Sequence, residues 1–353
     1  MTSLSRIAQS EYLTGILRRS GMLGSGRVRE VIAEAPRNTI LSQLVRLRLT
    51  YEGQAGAVPA SLMVKTKHPA WTNRGWSPGR SEVAFYSQVA SAAPMPFVPR
   101  CFDAAWDEGT QDWHLVLEDL ADSHLIATEW PLPPTFEQSQ AIVRAWARFH
   151  AAWWDDPRLG TSVGVWLDEK AMNDYLATLA DQTARFLDHL GDRLPAQRRA
   201  MHDQLLRAAP ALVGRYHSHR HMTLIHGDAH VWNCFLPKDG TSGDVRLFDW
   251  DSWRVNVATS DLTYMMALHW YPERRRRFEI PLLDCYHAEL LARGVRGYDR
   301  AALDRDYRLS VLWQITTPVR QWAGRIPASI WWNHLERIHL AADDLGCRDF
   351  LAG

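Results

Sequence analysis

An α+β chain of two lobes is what this sequence predicts: an N-terminal antiparallel sheet carrying one helix, then a mainly helical second lobe. Three observations predict it. Short apolar or alternating runs, bounded by Gly, Pro and polar clusters, fill residues 28–118. From Thr135 the apolar positions recur at helical spacing instead. The 353 residues are 46% hydrophobic and 23% charged, which suffices for two packed cores. The boundary is expected near residues 119–124, dividing 1–119 from 120–353.

Residues 5–19 read as an amphipathic helix, with Ile7, Tyr12, Ile16 and Leu17 near one face and Gly21, Gly24 and Gly26 ending it. Residues 28–34, 44–51 and 60–67 read as strands. Val45-Arg46-Leu47-Arg48-Leu49 alternates, as a strand with one wet face does. A Gly/Pro/Asn loop at 71–79 leads into a helix over 81–92 carrying Val83, Phe85, Tyr86 and Val89. Pro94, Pro96 and Pro99 break it, and strands follow at 101–106 and 113–118. Beyond the boundary, helices are predicted over 135–154, 170–189, 196–216, 262–269, 274–293, 304–317 and 330–344. The first is the strongest, because Ala141, Ile142, Ala145, Trp146, Phe149 and Trp153 keep helical spacing.

Bulk chemistry narrows the function classes. Lys plus Arg equals Asp plus Glu, at 40 each, so no surface for nucleic acid or anionic membrane is implied. No apolar run is long enough to span a bilayer, and the N-terminus lacks a signal-peptide core. Cys101, Cys234, Cys285 and Cys347 are far apart, form no CxxC pair and suit a reducing compartment. The expectation is a cytoplasmic monomer or homodimer without membrane or nucleic-acid partners. Arg274 to Arg277 is flanked by Glu273 and Glu279 and reads as a solvated helix end.

The chemistry concentrates in residues 224–251, LIHGDAHVWNCFLPKDGTSGDVRLFDWD. Two apolar runs, 222–225 and 245–248, read as strands, with a turn cluster at 237–243 between them. Paired as a hairpin, they would bring Asp228, Asn233 and Asp249 to one end of one sheet. A carboxylate, an amide and a second carboxylate around one point is the set that metal-assisted phosphoryl transfer needs. Asp228 could accept a proton from an attacking hydroxyl, while Asn233 and Asp249 offer oxygens to Mg²⁺. Each residue alone also fits an ordinary turn; the three together favour chemistry.

Lys65 ends the apolar run Ser61-Leu62-Met63-Val64, where a lysine can meet phosphate oxygens if a carboxylate holds it. Glu82, in the following helix, is the candidate. Leu115 to Leu120 runs into the boundary, and a purine could be read there by peptide groups around Glu118 and Leu120. A different class is a metal-dependent hydrolase using His226, Asp228 and His230, with His217, His219 and His221 as further ligands. That reading leaves Lys65 unexplained.

Together these segments resemble the aminoglycoside phosphotransferase and choline kinase superfamily, whose fold is protein-kinase-like. HGDAHVWN is similar to its catalytic loop and LFDWD to its metal-binding segment. LMVK, SEVAFY and LVLEDL are similar to its nucleotide lysine, helix glutamate and hinge. The resemblance runs from about Val28 to Asp261, the helical tail agreeing in character only. ARFHAAWW and DDLGC resemble the ecdysteroid-kinase-like branch. The resemblance implies ATP and Mg²⁺ as cofactors and a small-molecule alcohol as acceptor. It implies Asp228 as catalytic base, Asn233 and Asp249 as Mg²⁺ ligands and Lys65 on the α/β phosphates. Asp261 would be structural. The chain departs from the pattern at AEAPRNTILS, residues 33–42, which should cover phosphate but holds no glycine. Arg37, Asn38, Thr39 or Ser42 would have to supply donors there.

For the acceptor, acids and bases are nearly balanced after Arg254, without the acidic cluster a polycationic aminoglycoside would favour. Trp253, Trp270, Trp313, Trp322, Trp331 and Trp332 lie in the same region. Most fit core positions, and some could flank a flat or apolar ligand. The expectation is a neutral or mixed, moderately hydrophobic alcohol such as an antibiotic or other natural product. A polar metabolite such as choline, a sugar or an amino alcohol is the alternative.

Overall fold

Burial along the alternating run sets the first sheet: Val45, Leu47 and Leu49 are buried, while Arg46 and Arg48 lie on the wetter face. The computed structural model describes residues 3–39, 41–53, 58–70, 79–91, 96–125, 133–240 and 244–351. The loop predicted at 71–79, save Gly79, lies outside these residues, as do the predicted helix end at Ala92 and Pro94 and the turn residues 241–243. The chain forms two compact units, Met1–Leu132 with Trp232–Trp253, and Pro133–Val231 with Arg254–Gly353.

In the first unit, the helix predicted over 5–19 is two helices, α1 (Ser3–Ile7) and α2 (Ser10–Arg19). Gln9 adopts extended backbone between them. The bend lets Ile7 join Leu13, Ile16 and Leu17 in one core with Val45, Leu47, Leu62 and Val64. The strands are β1 (Arg27–Ala33), β2 (Arg37–Asn38), β3 (Ser42–Glu52) and β4 (Ser61–Lys67). Helix α3 (Arg80–Ala84) continues as a π-helical turn, Phe85–Val89, and β5 (Cys101–Trp106), β6 (Trp113–Glu118) and β7 (His124–Leu125) follow. The sheet order is β1-β3-β4-β6-β5, antiparallel throughout, with β2 folded back on β3.

The second unit begins with α4 (Phe136–Ala152), whose entry is a capping box between Thr135 and Gln138. Then come α5 (Glu169–Leu190), α6 (Ala196–Leu212), α7 (Gly214–His217) and β8 (Thr223–Ile225). The chain returns to the first unit for β9 (Cys234–Pro237) and β10 (Arg246–Leu247), which join β7 in the order β10-β9-β7. It then re-enters the second unit through β11 (Arg254–Asn256) and α8 (Thr259–Thr263), extended by a π-helical turn, Tyr264–Leu268. Helices α9 (Pro272–Ala292), α10 (Arg300–Gln314), α11 (Thr317–Ala323) and α12 (Ala328–Asp344) complete it. The α+β class predicted from the sequence holds.

Two expectations are corrected. The apolar runs 222–225 and 245–248 do not pair with each other: β8 pairs with β11, and β10 pairs with β9. The short Cys234–Pro237 segment takes the place across from β10 that the first run was expected to fill. The run Arg274 to Arg277 is solvated only in part: Arg276 and Arg277 are exposed, while Arg274 and Arg275 pack inward. Arg275 is 2% exposed and bonds Glu279 at 2.6 Å and Asp344, while Arg276 holds Asp344 at 2.7 Å. Arg274 lies over Trp270 and Phe278 and donates to the Pro134 carbonyl. The run ties α9 to α12 and to the entry of α4. Burial of the Arg275 charge is tolerable because Glu279 and Asp344 both accept from it.

Candidate active site

In the first unit, strand β4 delivers Lys65 and helix α3 delivers Glu82. Glu82 is 1% exposed, and its oxygen lies 2.6 Å from Lys65 Nζ. Asp249 lies 2.7 Å from the same nitrogen. Burial pulls the Lys65 ammonium down, but Asp249 and Glu82 outweigh it and hold the group above the ordinary lysine range. Burial pushes the Glu82 carboxyl up against the pull of Lys65, with Asp249 adding to the rise, to about 7.

Local structure explains how Asp249 gets there. The β9–β10 ladder sets Leu247 opposite Cys234, and the Phe248 N–H donates to the Asn233 carbonyl at 3.1 Å. Stacking of Phe235 on Phe248 at 4.0 Å reinforces the pairing. Asn233 and Asp249 therefore leave the same end of one small ladder. Asp249 is left-handed, at φ 68, a conformation costly for most residues and tolerated by Asp and Asn. The segment after it clamps onto α3. Asp251 accepts the Gly79 N–H with both oxygens at 3.0 Å, and burial outweighs that bond and raises its carboxyl. Trp250 stacks on Phe85 at 3.9 Å, and Trp253 Nε1 donates to the Ser81 carbonyl at 2.7 Å. The metal-segment candidate and the helix that holds Glu82 are thus one packed assembly.

The residues at the expected hinge are also engaged. Glu118 accepts from the Arg100 N–H and from Arg246, each at 3.1 Å. The Leu120 carbonyl accepts the N–H groups of Ser123 and His124, and its side chain is buried. Asp119 is held by Arg46 and, at 2.6 Å, by Ser61. In the glycine-free turn, Arg37 lies opposite Leu44, and the Asn38 amide oxygen accepts from Gln43 at 3.0 Å. The Thr39 and Ser42 hydroxyls pair at 2.8 Å. Asn38, Thr39 and Ser42 thus each have a side-chain partner in or beside the turn.

Asp228 belongs to the second unit. It follows β8 through His226 and Gly227, whose N–H groups donate to Asp261 at 2.7 and 2.9 Å. Gly227 has φ 81, which suits glycine. Asp261 is fully buried and also meets His150 Nε2 at 3.1 Å, while His150 Nδ1 lies 2.8 Å from the Tyr286 hydroxyl. Burial pushes the Asp261 carboxyl up, but the bond from His150 and the nearby imidazoles hold it below the usual range. The Asp228 carboxylate is partly open, with His230 Nε2 3.5 Å away. Burial again acts upward, and hydrogen bonds from His230 and Tyr264 win, keeping Asp228 well below the usual carboxylate range. Such a group is ionised and able to orient a hydroxyl.

A model of the phosphotransferase enzyme family, APH, matches residues 48–303. The chain belongs to this family. The match covers Lys65, Glu82, Glu118, Leu120, Asp228, Asn233, Asp249 and Asp261. Among solved structures, this phosphotransferase-family chain is similar to a choline/ethanolamine kinase family protein from Mesorhizobium loti. There the identity is 14%, the coverage 91% of each chain and the TM-score 0.52. It is also similar to the GDP and kanamycin complex of APH(2")-IIia, at 11% identity, 96% and 99% coverage and a TM-score of 0.50. At such identities the likeness is one of fold, which is protein-kinase-like. No curated protein matches the chain.

The sequence reading missed several partners of these residues in the family member. Tyr264 sits in an apolar helical run, so nothing marked its hydroxyl as a partner of Asp228. His150 was readable as a lone histidine among the buried positions Trp146, Phe149 and Trp153 of α4. Among the described residues, no group of three or more His, Cys, Asp or Glu side chains is arranged to hold a metal. His219 stacks on Trp166 at 4.1 Å, and His221 packs on Tyr298. The tryptophans divide: Trp270 and Trp331 are buried, Trp322 and Trp332 pack on the Phe186 cluster, and Trp253 belongs to the first unit. No described helix is long and apolar enough to cross a membrane.

Proposed function

We propose that the chain is an ATP- and Mg²⁺-dependent kinase that phosphorylates a hydroxyl group of a small molecule. The observation that carries the proposal is Lys65 between Glu82 and Asp249, at 2.6 and 2.7 Å. A buried lysine braced by a helix carboxylate is suited to orient the phosphates of a nucleotide. Residues 1–119 form the nucleotide-binding lobe in this reading and 120–353 the acceptor lobe, with the purine read by peptide groups around Glu118 and Leu120.

Asn233 and Asp249 would hold the magnesium ion, and both offer the hard oxygen donors that Mg²⁺ takes. When bound, the ion neutralises charge on the triphosphate. Asp228 orients the acceptor hydroxyl and takes its proton; the hydrogen bonds of His230 and Tyr264 keep it ionised for that task. Asp261 acts one step back, fixing the peptide groups of His226 and Gly227 so that Asp228 is presented in one geometry.

The acceptor is an antibiotic or other natural product, or a polar metabolite such as choline, a sugar or an amino alcohol. Within the superfamily, ARFHAAWW and DDLGC favour the ecdysteroid-kinase-like branch, and the site of action is cytoplasmic. The test is a γ-phosphate transfer screen across antibiotics, sugars, amino alcohols and hydroxy acids, read by product mass with and without Mg²⁺. An acceptor gaining one phosphoryl group only with ATP and Mg²⁺ supports the proposal. Transfer at the parent rate by Asp228→Ala would sink the assignment of the base.

A further inference from the structure

His269 takes no part in the steps above, yet it touches both groups that hold the base. Helix α8 and its extension grip the Asp228 loop twice. Asp261 accepts the His226 and Gly227 N–H groups, and one turn on, the Tyr264 hydroxyl donates to the Asp228 carboxylate. Tyr264 opens the π-helical turn Tyr264–Leu268, and His269 closes it. From there His269 Nδ1 reaches back to the Tyr264 carbonyl at 2.7 Å. Its ring packs 4.7 Å from the Tyr264 ring and 5.4 Å from that of His230, whose Nε2 lies 3.5 Å from Asp228. The His230 and Tyr264 rings are 6.4 Å apart, so the three form one cluster beside the carboxylate.

Chemistry fixes how His269 sits. A carbonyl only accepts, so Nδ1 carries the proton of the bond to Tyr264. Burial, with His230 and His334 adding to it, pushes the imidazole well below its ordinary range, and the ring stays neutral. It is also held from behind. His334, itself buried, packs edge-on at 4.5 Å, and its Nδ1 meets Gln321 at 2.9 Å. Arg337 donates to the His269 carbonyl at 2.8 Å. Helices α11 and α12 thereby set the position of His269. A π-helical turn is rare and occurs mostly at functional sites. Here its first residue bonds the base, and its closing residue holds the first.

We infer that His269 is a positioning residue for the base: it fixes Tyr264 through the carbonyl bond and packs on both Tyr264 and His230, the two groups that hold Asp228. The inference rests on the kinase reading and adds a residue to its machinery. The other charged or titratable groups facing this cluster are His226 on the Asp228 loop, and Arg254 from β11 and Arg320 from α11, which act on Tyr264. Because His269 is neutral, the pH response that it controls is that of Asp228 rather than its own. Loss of the Nδ1 donor should therefore act like loss of the Tyr264 hydroxyl.

Three measurements test it. Histidine ¹⁵N NMR of the parent should show His269, assigned by its loss in H269N, as the neutral Nδ1–H tautomer at neutral pH. A charged ring, or one protonated at Nε2, overturns the inference even if a variant fails to fold. Tyrosine Cζ ¹³C NMR then reads the Tyr264 hydroxyl in the parent, H269F, H269N and D228A. H269F keeps a ring and loses the donor, so it should move the Tyr264 resonance toward its position in D228A. H269N keeps a donor at the Nδ1 position and should move it less. The third measurement is kinetic, with an acceptor found in the transfer screen. H269F should lower kcat about tenfold and move its acid limb to higher pH, with the KM for ATP within about twofold of the parent. It should add nothing in the Y264F background, because it acts through that hydroxyl, and H269N should recover part of the rate. A Tyr264 resonance and an acid limb that H269F leaves at parent values overturn the positioning role and keep the kinase. A KM for ATP that rises as kcat falls means general damage and overturns it too. A shifted Tyr264 resonance in a protein that transfers phosphate to no acceptor supports the clamp and sinks the kinase reading instead.

Discussion

Lys65 Nζ lies 2.7 Å from Asp249, a residue 184 positions later in the chain. One ammonium therefore stands where Asp249 would otherwise face Glu82 and Asp251 with charge of the same sign.

Removing that ammonium should have two separable effects. Lys65→Met should raise the KM for ATP by about tenfold or more, the loss of a charge-assisted contact. It should also leave Asp249 available to a cation, so Mg²⁺ alone should raise the melting temperature of the variant more than that of the parent. Thermal melts in MgCl₂ and steady-state kinetics check both. An equal Mg²⁺ response in the two proteins counts against a metal role for Asp249. Asp249→Asn is the better control than Asp249→Ala, because asparagine tolerates the left-handed backbone.

Asp228 should titrate well below the usual carboxylate range, so the acid limb of kcat that it sets in the parent should lie at low pH. Tyr264→Phe and His230→Asn each remove a bond that lowers its carboxyl. Each should move the acid limb of kcat to higher pH, and the double variant should move it further. Asp228→Ala should lower kcat by roughly 10² to 10⁴ while leaving ATP binding near the parent value. An acid limb unmoved in the double variant would mean that these bonds do not tune the base.

Gly79 should accept no other residue. Its φ is 88, and a Cβ there would lie 2.1 Å from the Trp113 ring. Gly79→Ala therefore combines backbone strain with overpacking, a loss of about 2–4 kcal/mol. Because Gly79 also donates to Asp251 at the start of α3, Glu82 should lose its position as well. Urea denaturation should show the lost stability, and ATP KM should rise even where the variant is folded.

His202 and His339 face each other in the core with Nε2 atoms 3.3 Å apart. Burial pushes His202 down to about 4, with Arg199 adding to the fall, and burial also lowers His339. The folded groups are neutral where the unfolded ones, near 6.5, take up protons. Stability is therefore complete above about pH 6.5 and falls as pH drops towards 4. The His202 share is about 3 kcal/mol. His202→Leu/His339→Leu should flatten the urea midpoint between pH 7 and pH 4.5. A slope as steep as that of the parent would place the pH dependence elsewhere.

The legible parts of the molecule were those where one element decides the outcome. Alternation in β3 and β4 and periodicity in α4 follow from local burial, and the order Lys65 then Glu82 pointed to a strand lysine held by a helix acid. What escaped was decided by residues far away in sequence. The partner of β8 is Arg254-Val255-Asn256, three residues with no alternation to mark them, reached only after the chain has visited the other unit. Arg275 looked solvated because its acceptors Glu279 and Asp344 and the Tyr307 hydroxyl that meets Glu279 converge from three helices. The break at Gln9 follows from the core that Ile7 joins, not from a helix-breaking residue.

The double crossing of the chain between its units also limits how such a protein can be shuffled. Lys65 is encoded before α4 and Asp249 after α7, yet both belong to the first unit. A gene exchange at a single point near residue 132 would pair the lysine of one parent with the aspartate of another. It would also leave β7 against a foreign β9. Inheritance of this site as a working whole takes two crossovers, or a lineage in which the lysine and the aspartate change together.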